Sequence, residues 1–321
     1  MPSYITIFNA CIPVFVVIAA GYWLRKLGVF SKNADKSLLG IVLNLLFPAF
    51  IIHHLLDNVT LGSGALIAMA VITGGLTIII GLSLAYLAAR SIRMEKNRQR
   101  TFAVAAGLQN YGFIPIPILL ALFGKEVIPI QLMFSTGLEI VLWTAAVMML
   151  TGGKSGGWKN LLNTPLITTV VCLLLNAVFN VSSLPEIISQ PVFMLSSCAV
   201  PISLLLIGAI ICDLLQGSSV TSVADKGKLP EIIMAISIRL LLLPALMLLL
   251  TCLLPLPLEL KRILVIQAAM PAAVFPILLV RRYGGDIATA VRTVTVTMII
   301  SIFSIPPVIV FGLWITKSGT P

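Results

Sequence analysis

The chain has 321 residues, 59% of them hydrophobic and 10% charged, with a net charge of +10. Soluble domains run to about 45–50% apolar and about 25% charged residues, so this composition marks an all-α integral membrane protein. The basic residues are spaced between apolar runs, where they orient a membrane chain, and they give no support to nucleic-acid binding.

Apolar stretches of about 20 residues, enough to cross the hydrocarbon core, fall near residues 4–24, 36–56, 64–89, 100–122, 127–150, 164–182, 189–212, 231–254, 261–280 and 288–315. The pattern predicts ten transmembrane helices separated by turn residues such as Gly28, Asp57-Asn58 and the glycines from Gly152 to Gly157. Arg25 and Lys26 follow the first stretch and no basic residue precedes it, the reverse of a signal peptide, so it is expected to be retained. The five cysteines, Cys11, Cys172, Cys198, Cys212 and Cys252, stand singly in apolar runs and read as small core residues, without metal-ligand or disulfide spacing.

The fourth span carries Gln109-Asn110, Gly112, Pro115 and Pro117, and a helix cannot pass through it intact. Each proline lacks an N–H and collides with the carbonyl four residues back. Backbone groups freed in this way must be buried in protein or line a wet cavity, since each unpaired one costs several kcal/mol in lipid. The ninth span repeats the device with Gln267, Pro271 and Pro276, and Pro276-Ile277-Leu278-Leu279 copies Pro117-Ile118-Leu119-Leu120 at an offset of 159 residues. Two matched, interrupted spans point to a secondary transporter with its site where the repeats meet. The candidate substrate-binding residues are therefore Gln109, Asn110, Pro115, Pro117, Gln267, Pro271 and Pro276.

The odd-numbered loops hold 16 basic residues and the opposite side four, which puts the odd loops in the cytoplasm and both termini outside. Five spans per half is an odd number, so the second half enters the membrane upside down as an inverted repeat. The halves are 1–152 and 164–321, joined by a short cytoplasmic linker at 153–163, and Pro48 and Pro201 extend the register.

Glu139 and Arg239 are the charges deep inside spans, where an unpaired charge costs about 2.5–3.5 kcal/mol on insertion scales. They are candidates for an ion pair or for coupling to H+ or Na+. His53 and His54, near Asp57, are candidates for a substrate path. Thr293, Thr295, Thr297 and Ser301, with Ser135 and Thr136, read as hydroxyls bonded within or between helices. No Ser/His/Asp set, paired carboxylates or HExxH stands on a span, so the chain is not read as an enzyme; no cofactor or metal motif is present.

Asn110 with Ile116-Pro117 and Gly124 resembles the fourth-helix pattern of the auxin efflux carrier family, which joins bacterial permeases to the plant PIN-type exporters. Gln267-Ala268-Ala269, Pro271, Pro276, Tyr283 and Asp286 resemble its ninth-helix pattern. Pro13 with Gly21-Tyr22, Pro48 with His53, and Asn163 with Pro165 extend the resemblance over nearly the whole chain. Pro115 stands where the plant proteins have glycine, and Ile51 where they tend to be polar. The resemblance implies a fold like that of the bile-acid sodium symporters. In that fold spans 4 and 9 cross at their breaks, spans 1, 2, 6 and 7 form a scaffold, and spans 3–5 and 8–10 form a transport domain. The resulting expectation is a permease in a bacterial inner membrane that carries small organic anions such as carboxylates by an elevator motion, with a homodimer left open. The competing class is a non-transporting membrane sensor or channel.

Overall fold

The computed structural model describes residues 3–56, 64–153, 161–179, 184–216 and 229–317, and among them the secondary structure is helical apart from an isolated bridge between Gln109 and Ala272. Among the described residues, seven helices are long and apolar enough to cross a membrane: α1 (Tyr4–Lys26), α2 (Ala34–Leu56), α3 (Gly64–Ser91), α6 (Lys125–Thr151), α8 (Glu186–Gln216), α9 (Leu229–Leu253) and α12 (Ile287–Thr316). A shorter apolar helix, α7 (Thr164–Phe179), has 16 residues. The fourth apolar stretch forms two pieces, α4 (Lys96–Gly107) of 12 residues and α5 (Pro115–Phe123) of nine. The ninth forms α10 (Leu258–Ala268) of 11 and α11 (Phe275–Tyr283) of nine. No piece alone spans a hydrocarbon core that needs about 20 residues.

Prolines shape these elements in three ways. Pro115 and Pro276 occupy the first two positions of α5 and α11, where the missing N–H costs nothing and the fixed φ favours a helix. The prolines therefore restart the helices, and the unwound stretches lie before them. Pro48 and Pro244 follow π-helical turns at Val42–Leu46 and Ser237–Leu242, where the hydrogen bond each denies to the residue four back is absorbed by a wider turn. Pro13 and Pro201 lie inside continuous helices, so Pro201 is not matched in local structure to Pro48. The second pieces also end alike, α5 on Gly124 with φ 78° and α11 on Gly284 with φ 87°, a positive-φ extended conformation that glycine adopts without Cβ strain.

Helices α1, α2, α7 and α8 pack on one another, as do α3, α4 and α6, with α12 against α4, α9 and α10. Lipid-buried helices associate by close van der Waals approach, which small residues permit. Thus Gly81 of α3 meets Gly107 of α4 so closely that a Cβ on Gly107 would sit 2.7 Å from the Gly81 carbonyl carbon. The molecule is apolar outside, with Ile72, Leu87, Val178, Phe303 and Trp314 exposed, and polar inside, with Gln109, Gln131, Arg239 and Gln267 buried. That inversion of the soluble pattern fits a multi-pass membrane protein.

Two ionic clusters tie helix ends. Arg25 at the end of α1 pairs with Asp35 of α2, and its Nε lies 3.6 Å from Asp213 of α8, which Lys32 also approaches at 3.6 Å. Glu231 of α9 pairs with Arg98 of α4 and, at 2.7 Å, with Arg292 of α12.

Candidate functional site

The two unwound stretches meet. Asn110 N donates to Pro271 O at 2.9 Å and Ala273 N to Leu108 O at 2.9 Å, on either side of the Gln109–Ala272 bridge. Each helix break thus supplies partners for backbone groups that the other break frees. The first α5 and α11 residues follow directly, so the N-terminal ends of both pieces and the C-terminal ends of α4 and α10 converge on one crossing.

The side chains complete the satisfaction of this crossing. In an intact helix Tyr111 O would accept from residue 115, but Pro115 has no N–H to give. Instead Gln131 Nε2 of α6 donates to Tyr111 O at 2.7 Å, Gln267 Nε2 of α10 at 3.2 Å and Ser135 Oγ at 3.4 Å. Gln267 Nε2 also reaches Gln131 Oε1 at 3.2 Å, and Gln131 Nε2 reaches Ser135 Oγ at 3.0 Å. Gln267 Oε1 is buried with no partner among the described residues.

Of the candidates named from sequence, Gln109, Asn110, Gln267 and Pro271 lie in the crossing, and Pro115, Pro117 and Pro276 in the first turns of the pieces leading from it. Gln109 is buried, its Nε2 3.4 Å from Thr77 Oγ1 of α3. Asn110 accepts a 3.4 Å bond from Ile114 N, just before α5, through Oδ1, while its Nδ2 has no hydrogen bond among the described residues. Aromatic rings wall the region: Phe113 meets Phe47 of α2 edge-on at 5.9 Å, and Phe275 meets Trp143 of α6 at 5.6 Å.

Glu139 and Arg239 do not pair. Glu139 Oε2 accepts from Asn163 Nδ2 at 3.3 Å, and its side chain lines a cavity of about 10 Å³ between α2, α6 and α7, with Ser135, Thr136 and Thr169. Arg239, fully buried on α9, turns to the other break and donates through Nε to Met270 O at 3.0 Å. Its Nη1 and Nη2 find no acceptor among the described residues. Of the two readings offered for this pair, the ion pair is not formed, because the two side chains face different elements of the fold. His53 packs its ring against His54 and, at 5.3 Å, against Phe193 of α8; Asp57 lies outside the described residues. Thr136, Thr297 and Ser301 bond to carbonyls of their own helices, whereas Thr293 and Thr295 keep buried hydroxyls without partners among the described residues.

Gln131 and Thr77 escaped sequence reasoning. Gln131 had a visible signal, an amide in an apolar run four residues before Ser135, on the same helical face. Thr77 looked like any hydroxyl in a span. All five cysteines are free, Cys198 and Cys252 at the exposed surface, and no group of His, Cys, Asp or Glu among the described residues could hold a metal ion.

A family profile described as membrane transport protein matches residues 6–309. An uncharacterized transporter of Methanocaldococcus jannaschii is 24% identical over 313 residues, covering 94% of this chain and 95% of that protein. Another uncharacterized transporter, from Methanothermobacter thermautotrophicus, is 26% identical over 198 residues, which cover 61% of this chain and 65% of that relative's own length.

Proposed function

The chain belongs to the membrane transport protein family, the auxin efflux carrier type its motifs resemble, and we propose that it is a secondary transporter that binds small organic anions, carboxylates above all, where its two broken helices cross. The observation that carries this reading is the crossing itself, in which the two unwound stretches run antiparallel on main-chain bonds between Asn110 and Pro271 and between Ala273 and Leu108, and α5 and α11 restart on either side of them. A helix start behaves like about half a positive charge, and such half-helices serve as carboxylate sites in transporters. Asn110 Nδ2 adds an uncommitted donor, and neither stretch 107–117 nor 267–277 contains Asp or Glu.

In this reading the chain is two inverted five-span repeats, with each pair α4–α5 and α10–α11 counting as one span. Helices α1, α2, α7 and α8 form the scaffold, and the remainder forms a transport domain that moves as an elevator in a bacterial inner membrane. Gln109, Asn110, Gln267 and the crossing prolines shape the site; Glu139, beside its small cavity, is the place for a coupling proton or sodium ion. The basic-loop asymmetry supports a topology with both termini outside the cytoplasm. A cysteine at Ser3 in a cysteine-free protein is therefore expected to react with impermeant maleimide on whole cells, and labelling only after lysis would reverse the topology.

Counterflow of labelled carboxylates in proteoliposomes tests the function. Saturable exchange with carboxylates and none with amines is expected, and Asn110→Ala should weaken binding about tenfold, the worth of one hydrogen bond to a charged ligand, without unfolding the protein. Flux that never saturates would indicate a channel. Stabilisation by organic cations alone would refute the anion reading.

A further inference from the structure

Four helix ends meet at the crossing: the starts of α5 and α11, positive, and the ends of α4 and α10, negative. Each start, of about plus one half, has an end of about minus one half nearby, so the local field that favours a carboxylate at a helix start is not matched by a net positive charge over the whole crossing. A full charge must decide the sign. Arg239 is placed to do so: it reaches from α9 to the second break, where its Nε bonds to Met270 O, two residues beyond the end of α10 and within the turn that Met270 N closes on Gln267 O.

The bond to Met270 O uses one of five N–H groups on a planar guanidinium, the arrangement that fits a carboxylate two-pronged. Arg239 is 0% exposed, and both Nη nitrogens are buried with no acceptor among the described residues. No ion pair among the described residues includes it. A structural arginine buried this deeply is normally held by a carboxylate or several carbonyls, since leaving the charge uncompensated costs several kcal/mol. Glu139, half-buried on α6, bonds to Asn163 and lines a cavity on the α2–α7 side, and the buried Glu231 of α9 is taken by Arg98 and Arg292.

We propose that Arg239 is the counter-charge of the transported anion: its Nη groups, fixed at the second break by the bond to Met270 O, receive the carboxylate of a substrate and give the crossing its net positive sign. The proposal rests on the carboxylate reading above and adds the residue that enforces it. It assigns to the two breaks complementary duties, with Asn110 supplying a neutral donor from the first and Arg239 the charge at the second. A sulfonate, charged at every accessible pH and of similar geometry, then binds as a carboxylate does, and an amide of the same acid does not.

The test measures thermal stabilisation of the purified full-length protein by a set of small carboxylates, their amides and matched sulfonates, in the wild type and in Arg239→Met and Arg239→Lys. Wild type should be stabilised by carboxylates and sulfonates and not by amides. Arg239→Met should bind them about 10- to 100-fold more weakly, the loss expected for charge-assisted hydrogen bonds. Its melting temperature without ligand should be unchanged or higher, because an uncompensated buried charge has been removed. A merely structural arginine gives the opposite pattern, a lower ligand-free melting temperature with affinity kept. Arg239→Lys keeps the charge and loses the fork, so it should bind with intermediate affinity; wild-type affinity in this variant overturns the proposal even if Arg239→Met does not fold. Carboxylate binding in the wild type with undiminished affinity in Arg239→Met removes this proposal and leaves the transporter reading standing. Absence of carboxylate binding in the wild type removes both.

Discussion

The two helix breaks use the same sequence device and are completed differently. At the first, the carbonyl that Pro115 orphans, Tyr111 O, is taken by neutral donors, Gln131, Gln267 and Ser135. At the second, Met270 O is taken by a buried guanidinium with donors to spare. The amide-closed break leaves single neutral atoms unpartnered among the described residues, Gln267 Oε1 and Asn110 Nδ2, whereas the second leaves two nitrogens of a full charge. The prolines specify that a helix must stop; what the stop is for depends on side chains arriving from other helices.

The sharpest way to break this comparison is to remove the amides at the first break. Gln131→Leu takes the 2.7 Å donor from Tyr111 O and the acceptor from Gln267, and it should cost about 1–3 kcal/mol of stability, read as a fall in the melting temperature in detergent. Gln267→Leu leaves Gln131 on Tyr111 O, so its loss should be nearer the 0.6 kcal/mol average of interhelical hydrogen bonds. If the two losses came out equal, Tyr111 O would not be what these amides serve. The smallest effect concerns the two charges. Glu139→Gln and Arg239→Gln should be additive within about 0.5 kcal/mol, since the side chains serve different elements. A coupling energy well above that would show that they sense each other after all.

Much of the fold was legible because lipid forbids unpaired backbone, and so long apolar runs read as helices and paired Gly/Pro interruptions as breaks. The crossing residues Gln109, Asn110, Gln267 and Pro271 were visible for the same reason. The expectation of ten spans differs from seven long helices because the fourth and ninth runs fall into pieces of nine to 12 residues and α7 has 16. Partner choice was not legible. Glu139 and Arg239 seemed to belong together because each was a charge in want of an opposite, yet helical phase and rotamer decide which neighbour a side chain meets, and those depend on packing. Gln131 was overlooked because an amide in an apolar run gains its meaning only when the carbonyl it serves, 20 residues away, has been freed by a proline.

The bonds that join the two breaks run between main-chain atoms, Asn110 N to Pro271 O and Ala273 N to Leu108 O, and are therefore indifferent to the identity of the residues that make them. Any amino acid but proline at 110 or 273 can donate, and any at 108 or 271 can accept. The side chains on this frame are free to be exchanged one at a time while the knot beneath them holds. Under the proposed carboxylate reading, substitution at positions such as 109, 110 and 272 retunes which acid is bound without first dismantling the junction.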